Sequence, residues 1–443
     1  MSWHIVCLFG DDNYSPELRG GDQSLVLPFQ EYHHYFTYVS SLIETFDTYG
    51  LTPTAEAMEI LNAAIGAYIA DIRVPRGETT DGWTRDMVLH FAVRDPQQWE
   101  PVVPVFQELL SFLTGDYWAV VLRQLPKSQR LNSTKPVQKK PQSKIVSLFS
   151  GGLDSFIGAI DQVERYGNTV LVGHHGRGGG ATSVSQNDAI QALRKCYDDN
   201  KAPFLRFWIV PPKNVSDRTE TTTRARSIIF FGLGLAVASA LGEAKLIVPE
   251  NGFISLNIPL TPSRLGSFST RTTHPYLIDL LRKLIVGLGI SIEIELPYRF
   301  MTKGEMLQGC QNRPLIETVL SSTMSCSHPS ANRFTTAKDP NIHCGYCVPC
   351  LVRRAAIQAG GFPDPTSYAF EDLAAPLSTN RASDLKAFRI AIDRYKSHPP
   401  LLKDVLVSGT LPGTDDELRS YLGVYQRGLT EVATFLRRYT DTQ

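Results

Sequence analysis

An abrupt change of pattern at residues 145–166 narrows most sharply what this chain can fold into. Ile145-Val146-Ser147-Leu148-Phe149 is an apolar run of strand length, and Asp154–Arg165 has helical periodicity. Between them stand Ser150-Gly151-Gly152-Leu153, completing Ser-Gly-Gly-Leu-Asp-Ser with Asp154 and Ser155. The chain must turn tightly there and leave the first N–H groups of the helix without intrahelical partners. Gly151 and Gly152 permit that geometry and let an anion approach closely. The helix start adds its donors and the positive end of its dipole, and Ser150 and Ser155 add hydroxyls. Asp154 would repel a phosphate if it pointed inward, so it is read as ordering the loop or as binding a Mg2+ that bridges phosphates. A plain glycine turn with Asp154 as a helix cap would account for the aspartate, but not for the whole string in this setting. No Gly-Lys-Ser/Thr follows, so the loop is not a Walker A loop, and γ-phosphate chemistry is not expected.

The same alternation continues downstream. Thr169–Gly173, Phe204–Val210, Lys245–Val248 and Ile292–Leu296 read as strands, with helices expected at Ser185–Tyr197, Arg224–Leu241 and Pro275–Leu288. This predicts an α/β fold, a parallel sheet with helices on both faces, with ligands at the carboxyl ends of the strands. Ile228–Leu241 is too short for a bilayer and rich in Gly and Ala, so it reads as a buried helix. At 443 residues the chain is long enough for two or three units. Residues 1–125 read as an extra N-terminal α+β or α/β accessory domain. Its strands are expected at Ile5–Phe9, Leu25–Phe29, Met87–Val93 and Tyr117–Leu122, and its helices at Thr54–Ile72 and Pro96–Leu113. The start, Met-Ser-Trp-His-Ile-Val-Cys-Leu-Phe, reads as a strand and not as a signal peptide. Residues 126–143 are basic and Pro-containing and read as a linker. Residues 144–360 form the expected catalytic unit, and 361–443 a helical tail.

Lys and Arg together number 44 and so do Asp and Glu, leaving no net charge. No global field draws the chain to nucleic acid or anionic lipid. Of seven cysteines, four fall late: Cys326, then Cys344-Gly-Tyr-Cys347-Val-Pro-Cys350. An odd count with this clustering speaks for a metal site in a reducing, cytoplasmic compartment and against a disulfide framework. Four thiols at this spacing suit a closed tetrahedral Zn2+ knuckle. An iron–sulfur cluster is the rival, but residue 354, where a ferredoxin run would carry its next cysteine, is Arg354.

Three polar segments are candidates for substrate contact. Thr261–His274 carries Arg264, Arg271 and His274 and is expected at the ligand edge of the sheet. Its hydroxyls and arginines suit a purine-like base and its carboxylate, or an acceptor peptide; a surface loop is the alternative. His174-His175-Gly176-Arg177 would face the nucleotide, and Glu250 and Asn251 would orient substrate or cap a loop.

Ser-Gly-Gly-x-Asp-Ser is the signature of PP-loop ATP pyrophosphatases (adenine nucleotide alpha hydrolase-like), which resemblance implies ATP cleavage between the α- and β-phosphates. With the late four-cysteine site, residues 144–360 resemble the 7-cyano-7-deazaguanine synthase (QueC) family. In that resemblance Arg226, in Ala225-Arg226-Ser227, would meet phosphate or substrate. Lys303, in Pro297 through Thr302-Lys303-Gly304-Glu305, would meet the nucleotide or the acyl-adenylate. The strand ending His174-His175-Gly176 and the segment 249–274 depart from the family pattern where an acceptor would sit. The layout is similar to the QueC-like component of anti-phage defence operons. The resemblance implies ATP, Mg2+ and Zn2+ as cofactors, a 7-deazaguanine carboxylate as substrate, a defence-operon partner protein, and no need for membrane or nucleic acid. The alternatives are a PP-loop tRNA-modifying enzyme and a degenerate nucleotide-sensing scaffold.

Overall fold

The computed structural model describes residues 1–10, 12–29, 37–125, 140–175, 181–210, 220, 224–242, 244–261, 271–328, 342–373 and 382–439. The expected linker falls largely outside them. The chain opens with strands β1 (Ser2–Phe9) and β2 (Gln23–Phe29), helices α1 (Thr37–Thr48) and α2 (Ala55–Arg73), and strand β3 (Asp86–Val93). Helices α3 (Pro96–Trp99) and α4 (Val103–Thr114) and strand β4 (Tyr117–Gln124) follow. Thr54 caps α2 through its hydroxyl, and Gly115, at φ 77°, closes α4 in the left-handed conformation. The strands run in the order β2-β1-β3-β4, every pair parallel. Helices alternate with the parallel strands, with α1 and α2 between β2 and β3 and α3 and α4 between β3 and β4, so this unit is α/β, not a segregated α+β arrangement.

The second sheet holds β5 (Ile145–Leu148), β6 (Val170–His175), β7 (Phe204–Trp208), β8 (Lys245–Ile247) and β9 (Ile294–Glu295). Its order is β7-β6-β5-β8-β9, again all parallel. The order reverses between β5 and β8, which is where such a sheet opens a crevice at its carboxyl edge. Helices α5 (Leu153–Tyr166) and α6 (Ala181–Cys196) cover one face. The other face, through Val146, Leu148, Val172 and Leu246, packs on α7 (Arg226–Leu241).

Helix α7 is apolar all round because it is covered all round. One side meets the sheet and the other meets α2, so the two sheets share one hydrophobic core across a double layer of helices. Small residues make this possible: a Cβ at Gly232 would stand 3.1 Å from Leu61 Cα, and one at Gly66 of α2 would stand 2.8 Å from Cys7 Sγ. Among the described residues no helix is long and apolar enough to cross a membrane.

The remaining helices are α8 (Gly252–Ser255), α9 (Pro275–Gly287), α10 (Lys303–Gly309), α11 (Arg313–Val319), α12 (Val348–Ala359), α13 (Ser383–Ser397), α14 (Leu402–Val405) and α15 (Asp415–Leu436). Helix α15 lies against α8 and α12. It reaches α10 through Glu431, which accepts from the Thr302 hydroxyl, and Arg427, which pairs with Glu305 at 2.5 Å. The helical C-terminal segment thus buttresses the helix that carries Lys303.

Gly232→Val should test the double layer. Overpacking against the α2 backbone should lower stability by about 1–3 kcal/mol, read as a lower denaturation midpoint with an unchanged slope.

Candidate active site

A cavity of about 380 Å³ opens at the reversal point of the second sheet. Ser150, Gly152, Asp154 and Ser155 bound it beyond β5, Pro249 and Glu250 beyond β8, and Arg226, Ser227 and Phe230 on α7. Lys303 and the segment Met324–Cys326 complete the wall. Elements far apart in sequence converge here because the carboxyl ends of the central strands all point to this edge.

The turn after β5 has the geometry its glycines allow. Gly151 sits at φ 83°, and a Cβ there would stand 2.9 Å from both Ser185 Oγ and Gln186 Cγ. Gln186 holds the turn from α6, its amide donating to the carbonyls of Phe149 and His174. Met324 N–H donates to the Gly151 carbonyl at 3.1 Å. Gly152 is the N-cap of α5 and offers no side-chain cap, so the first N–H groups of that helix are left to an external acceptor. The Ser150 hydroxyl lies 3.3 Å from Ser155 Oγ, which donates to the Gly152 carbonyl at 2.9 Å.

Asp154 is taken up by protein groups. Lys303 Nζ lies 3.0 Å from Oδ1, and Asn251 donates to Oδ2 from its backbone at 3.2 Å and its amide at 2.6 Å. Burial alone would raise the Asp154 pKa, but Lys303, Glu250 and Asn251 outweigh it and hold the carboxylate below its ordinary value. Of the two roles expected for Asp154, loop ordering is the one these contacts perform. Glu250 moves the other way: burial and the neighbouring Asp154 charge push its pKa well up, against a smaller opposing pull from Lys303.

Arg226 reaches the same cavity from the first residue of α7, and no carboxylate pairs with it among the described residues. Burial lowers its pKa, with Tyr68 opposing. Its wall also carries two buried hydroxyls without hydrogen-bond partners among the described residues, Ser227 Oγ and Thr273 Oγ1. An uncapped helix start, a free guanidinium and orphan hydroxyls form an anion-receiving set.

The structure does not bring every expected residue here. Asn251 supports Asp154 and caps α8 through Ile254 N–H, and it does not line the cavity. Arg271 donates to the Phe112 carbonyl at 3.1 Å and lies over that ring. His274 is fully buried, caps α9 by accepting from Tyr276 N–H, and packs on Phe112. Burial and Arg271 lower its pKa to about 3. Between them, Thr272 and Thr273 line the cavity instead. His174 is buried, bonded to the Ile209 carbonyl, and held neutral by burial and Arg226, its pKa lowered to about 3. Arg264 and residues 176–180 lie outside the described residues. Thr182, Gln186, Phe230 and Met324 were not expected; no motif marks them, and only the topology brings them in.

The four late cysteines do converge. The sulfurs of Cys326, Cys344, Cys347 and Cys350 all lie within 4.8 Å of one another. Cys326–Cys347 is 4.0 Å and Cys344–Cys350 is 3.8 Å, against edges of about 3.8 Å for a tetrahedron with zinc–sulfur arms of about 2.3 Å. Backbone N–H groups of His328 and Cys344 point at Cys326 Sγ, at 3.2 and 3.3 Å, as thiolates require. His343 stands beside the set, Nδ1 3.9 Å from Cys350 Sγ and Nε2 on the Thr323 carbonyl. The donor set fits a structural zinc knuckle. Cys326 also lines the cavity, so the knuckle anchors the segment that Met324 fastens to Gly151.

This geometry was compared with known proteins. No protein-family model matches the chain. A 7-cyano-7-deazaguanine synthase of Syntrophobacter fumaroxidans is 26% identical over 243 residues, 51% of this chain and 96% of that protein. That of Cupriavidus necator is 30% identical over 161 residues, 36% of this chain and 63% of the relative. That of Sulfolobus acidocaldarius is 25% identical over 258 residues, 52% of this chain and 49% of the relative. The chain is similar to 7-cyano-7-deazaguanine synthases. About half of the chain lies outside the matched region in the Syntrophobacter and Sulfolobus comparisons.

Two outcomes are expected. Elemental analysis should find about one zinc per chain, and Cys347→Ser should lose it and lower the melting temperature. Glu250→Gln should be more stable than the parent above the ordinary carboxyl pKa, because the folded state holds the Glu250 proton more tightly than the unfolded state. The parent then loses stability as pH rises from that ordinary value to the raised one. The gap in melting temperature should therefore widen with pH and vanish in acid.

Proposed function

We propose that this chain is an AMP-forming ligase that activates a 7-deazaguanine carboxylate as its acyl-adenylate. The observation that carries the proposal is the uncapped start of α5, flanked by Ser150 and Ser155 and faced across one cavity by Arg226. In this reading the catalytic unit is residues 144–360, in a reducing, cytoplasmic compartment. The ATP pyrophosphate rests on the N–H groups and hydroxyls of residues 150–155. Mg2+, arriving with ATP, would supply charge neutralisation of the leaving group, and Glu250 on the same wall would be the carboxyl to hold it, since Asp154 is taken up by Lys303 and Asn251. A substrate carboxylate oxygen attacks the α-phosphorus as the bond to the β-phosphate oxygen breaks, releasing pyrophosphate. Arg226 clamps the charge that develops, and Lys303, held by Asp154, is poised beside it. Thr272, Thr273 and Ser227 offer hydroxyls to the base in place of His274 and Arg271.

An amine then attacks the acyl carbon, AMP leaves with the bonding electrons, and the amine gives up a proton to form an amide. With ammonia as the amine, the amide oxygen would attack the α-phosphorus of a second ATP and release pyrophosphate, and departure of that oxygen with AMP and of both N–H protons would leave a nitrile. The changed acceptor edge at residues 249–274 and the large region outside the matched half favour a second amine, one on a partner protein. The layout is most like QatC, the QueC-like component of the Qat anti-phage system, and the partner would be QatB-like. Mass spectrometry after incubation with ATP, Mg2+ and 7-carboxy-7-deazaguanine, with ammonium or with the partner, separates these fates. A deazaguanine amide on the partner is expected; an unmodified partner beside an active ammonia reaction would sink the conjugation step. Arg226→Ala should lower kcat/KM about 10²–10³-fold in either case.

A further inference from the structure

The N-terminal unit sends one charged side chain into the first turn of α7, the turn that carries Arg226. Asp71, on α2, is completely buried. Its Oδ2 accepts from the backbone N–H of Arg224 at 2.6 Å and of Ala225 at 2.9 Å. Its Oδ1 takes Arg85 at 2.7 Å and Arg76 at 3.2 Å. Both arginines also pair with Asp116, so two carboxylates and two guanidiniums balance in the interior. Arg224 is held a second time, its guanidinium 4.4 Å above the Trp83 ring. Glu220 joins the same seam, its N–H on the Ile72 carbonyl and its carboxylate accepting from Arg76 N–H.

Asp71 thus accepts from the two N–H groups that lead into α7, that of Arg224 and that of the N-cap Ala225, and its charge lies near the positive end of the helix dipole. The chain entering α7, next to Arg226, is held by the N-terminal unit. Because α2 also sits on Gly232 further along the same helix, α7 is held both where the chain enters it and along its side.

We propose that Asp71 is a positioning residue: it sets the first turn of α7 so that Arg226 meets the anionic phosphates, which makes the N-terminal unit part of the nucleotide site. This rests on the reading that the cavity takes ATP. It gives residues 1–125 a task inside the reaction, beyond the docking of a partner.

The test is ATP binding to the full chain by calorimetry, which needs neither the deazaguanine nor an acceptor. Asp71→Asn keeps the shape and removes the charge; it should weaken ATP about tenfold, as Arg226→Ala should. The double variant should be no weaker than Arg226→Ala alone, the non-additivity of two residues acting through one contact. Asp116→Asn breaks the same ion network without touching α7, and it should stay within about twofold of the parent in ATP affinity while losing as much melting temperature. Additive losses, or an equal loss from Asp116→Asn, would overturn the assignment. Should Asp71→Asn not fold, Trp83→Ala releases Arg224 from its partly exposed side and should weaken ATP measurably; unchanged affinity there also overturns it. A parent chain that binds no ATP would instead overturn the reading of the cavity itself.

Discussion

Helix α5, whose first N–H groups have no side-chain cap among the described residues, is the constraint around which the second sheet and its cavity are built. Left in water such groups are merely solvated; left buried they destabilise the fold. Here they face a cavity, and four separate elements keep the turn open. Gly151 supplies the left-handed backbone, Gln186 holds the carbonyls behind it, Met324 ties it to the cysteine knuckle, and Asp154 is drawn aside by Lys303 and Asn251. The last of these decides the sign of the site. A carboxylate turned toward the cavity would repel phosphate, and the ion pair and two hydrogen bonds on Asp154 commit it elsewhere. Burial and the Asp154 charge push the Glu250 pKa up beside it, which favours its uncharged form, and Arg226 has no carboxylate partner among the described residues.

The flanking regions follow from this centre. Lys303 reaches Asp154 only because α10 is held, and α15 holds it through Glu431 and Arg427. Arg226 reaches the cavity only because α7 is held, and α2 holds it through Asp71 and the Leu61–Gly232 contact. Sequence before and after the catalytic half thus enters its core from opposite sides, and the shared hydrophobic core between the two sheets is the packing expression of that dependence.

Much of this was legible in the sequence. Period and punctuation alone located β1–β9, α2 and α7 within a few residues, because parallel strands are short apolar runs and their helices are long and bounded by Gly and Pro. Four thiols at knuckle spacing specified their own convergence. What failed was local chemistry with two uses. His274 before Pro275 is a helix cap as readily as a ligand, and its capping role emerges only when Phe112 covers it. Thr302-Lys303-Gly304-Glu305 is a capping box, so Glu305 is spent on the Thr302 N–H and Arg427, which the spacing to Pro297 does not reveal. Gln186 and Met324 carry no motif at all, and Met324 reaches Gly151 only when the chain closes over more than a hundred intervening residues. Helix α1 lacked a clear signal because Thr, Tyr, Val and Ser, poor helix formers, fill its first turns.

The central claim is that the cavity directs cleavage between the α- and β-phosphates of ATP. Phosphorus NMR of the products, after incubation with ATP, Mg2+ and 7-carboxy-7-deazaguanine, reads this directly. The account predicts one pyrophosphate for each AMP, the AMP held as acyl-adenylate until ammonium is added and free afterwards, with both lowered about 10²–10³-fold in rate in Arg226→Ala. ADP and inorganic phosphate would contradict it, because the uncapped turn would then be serving γ-phosphate chemistry.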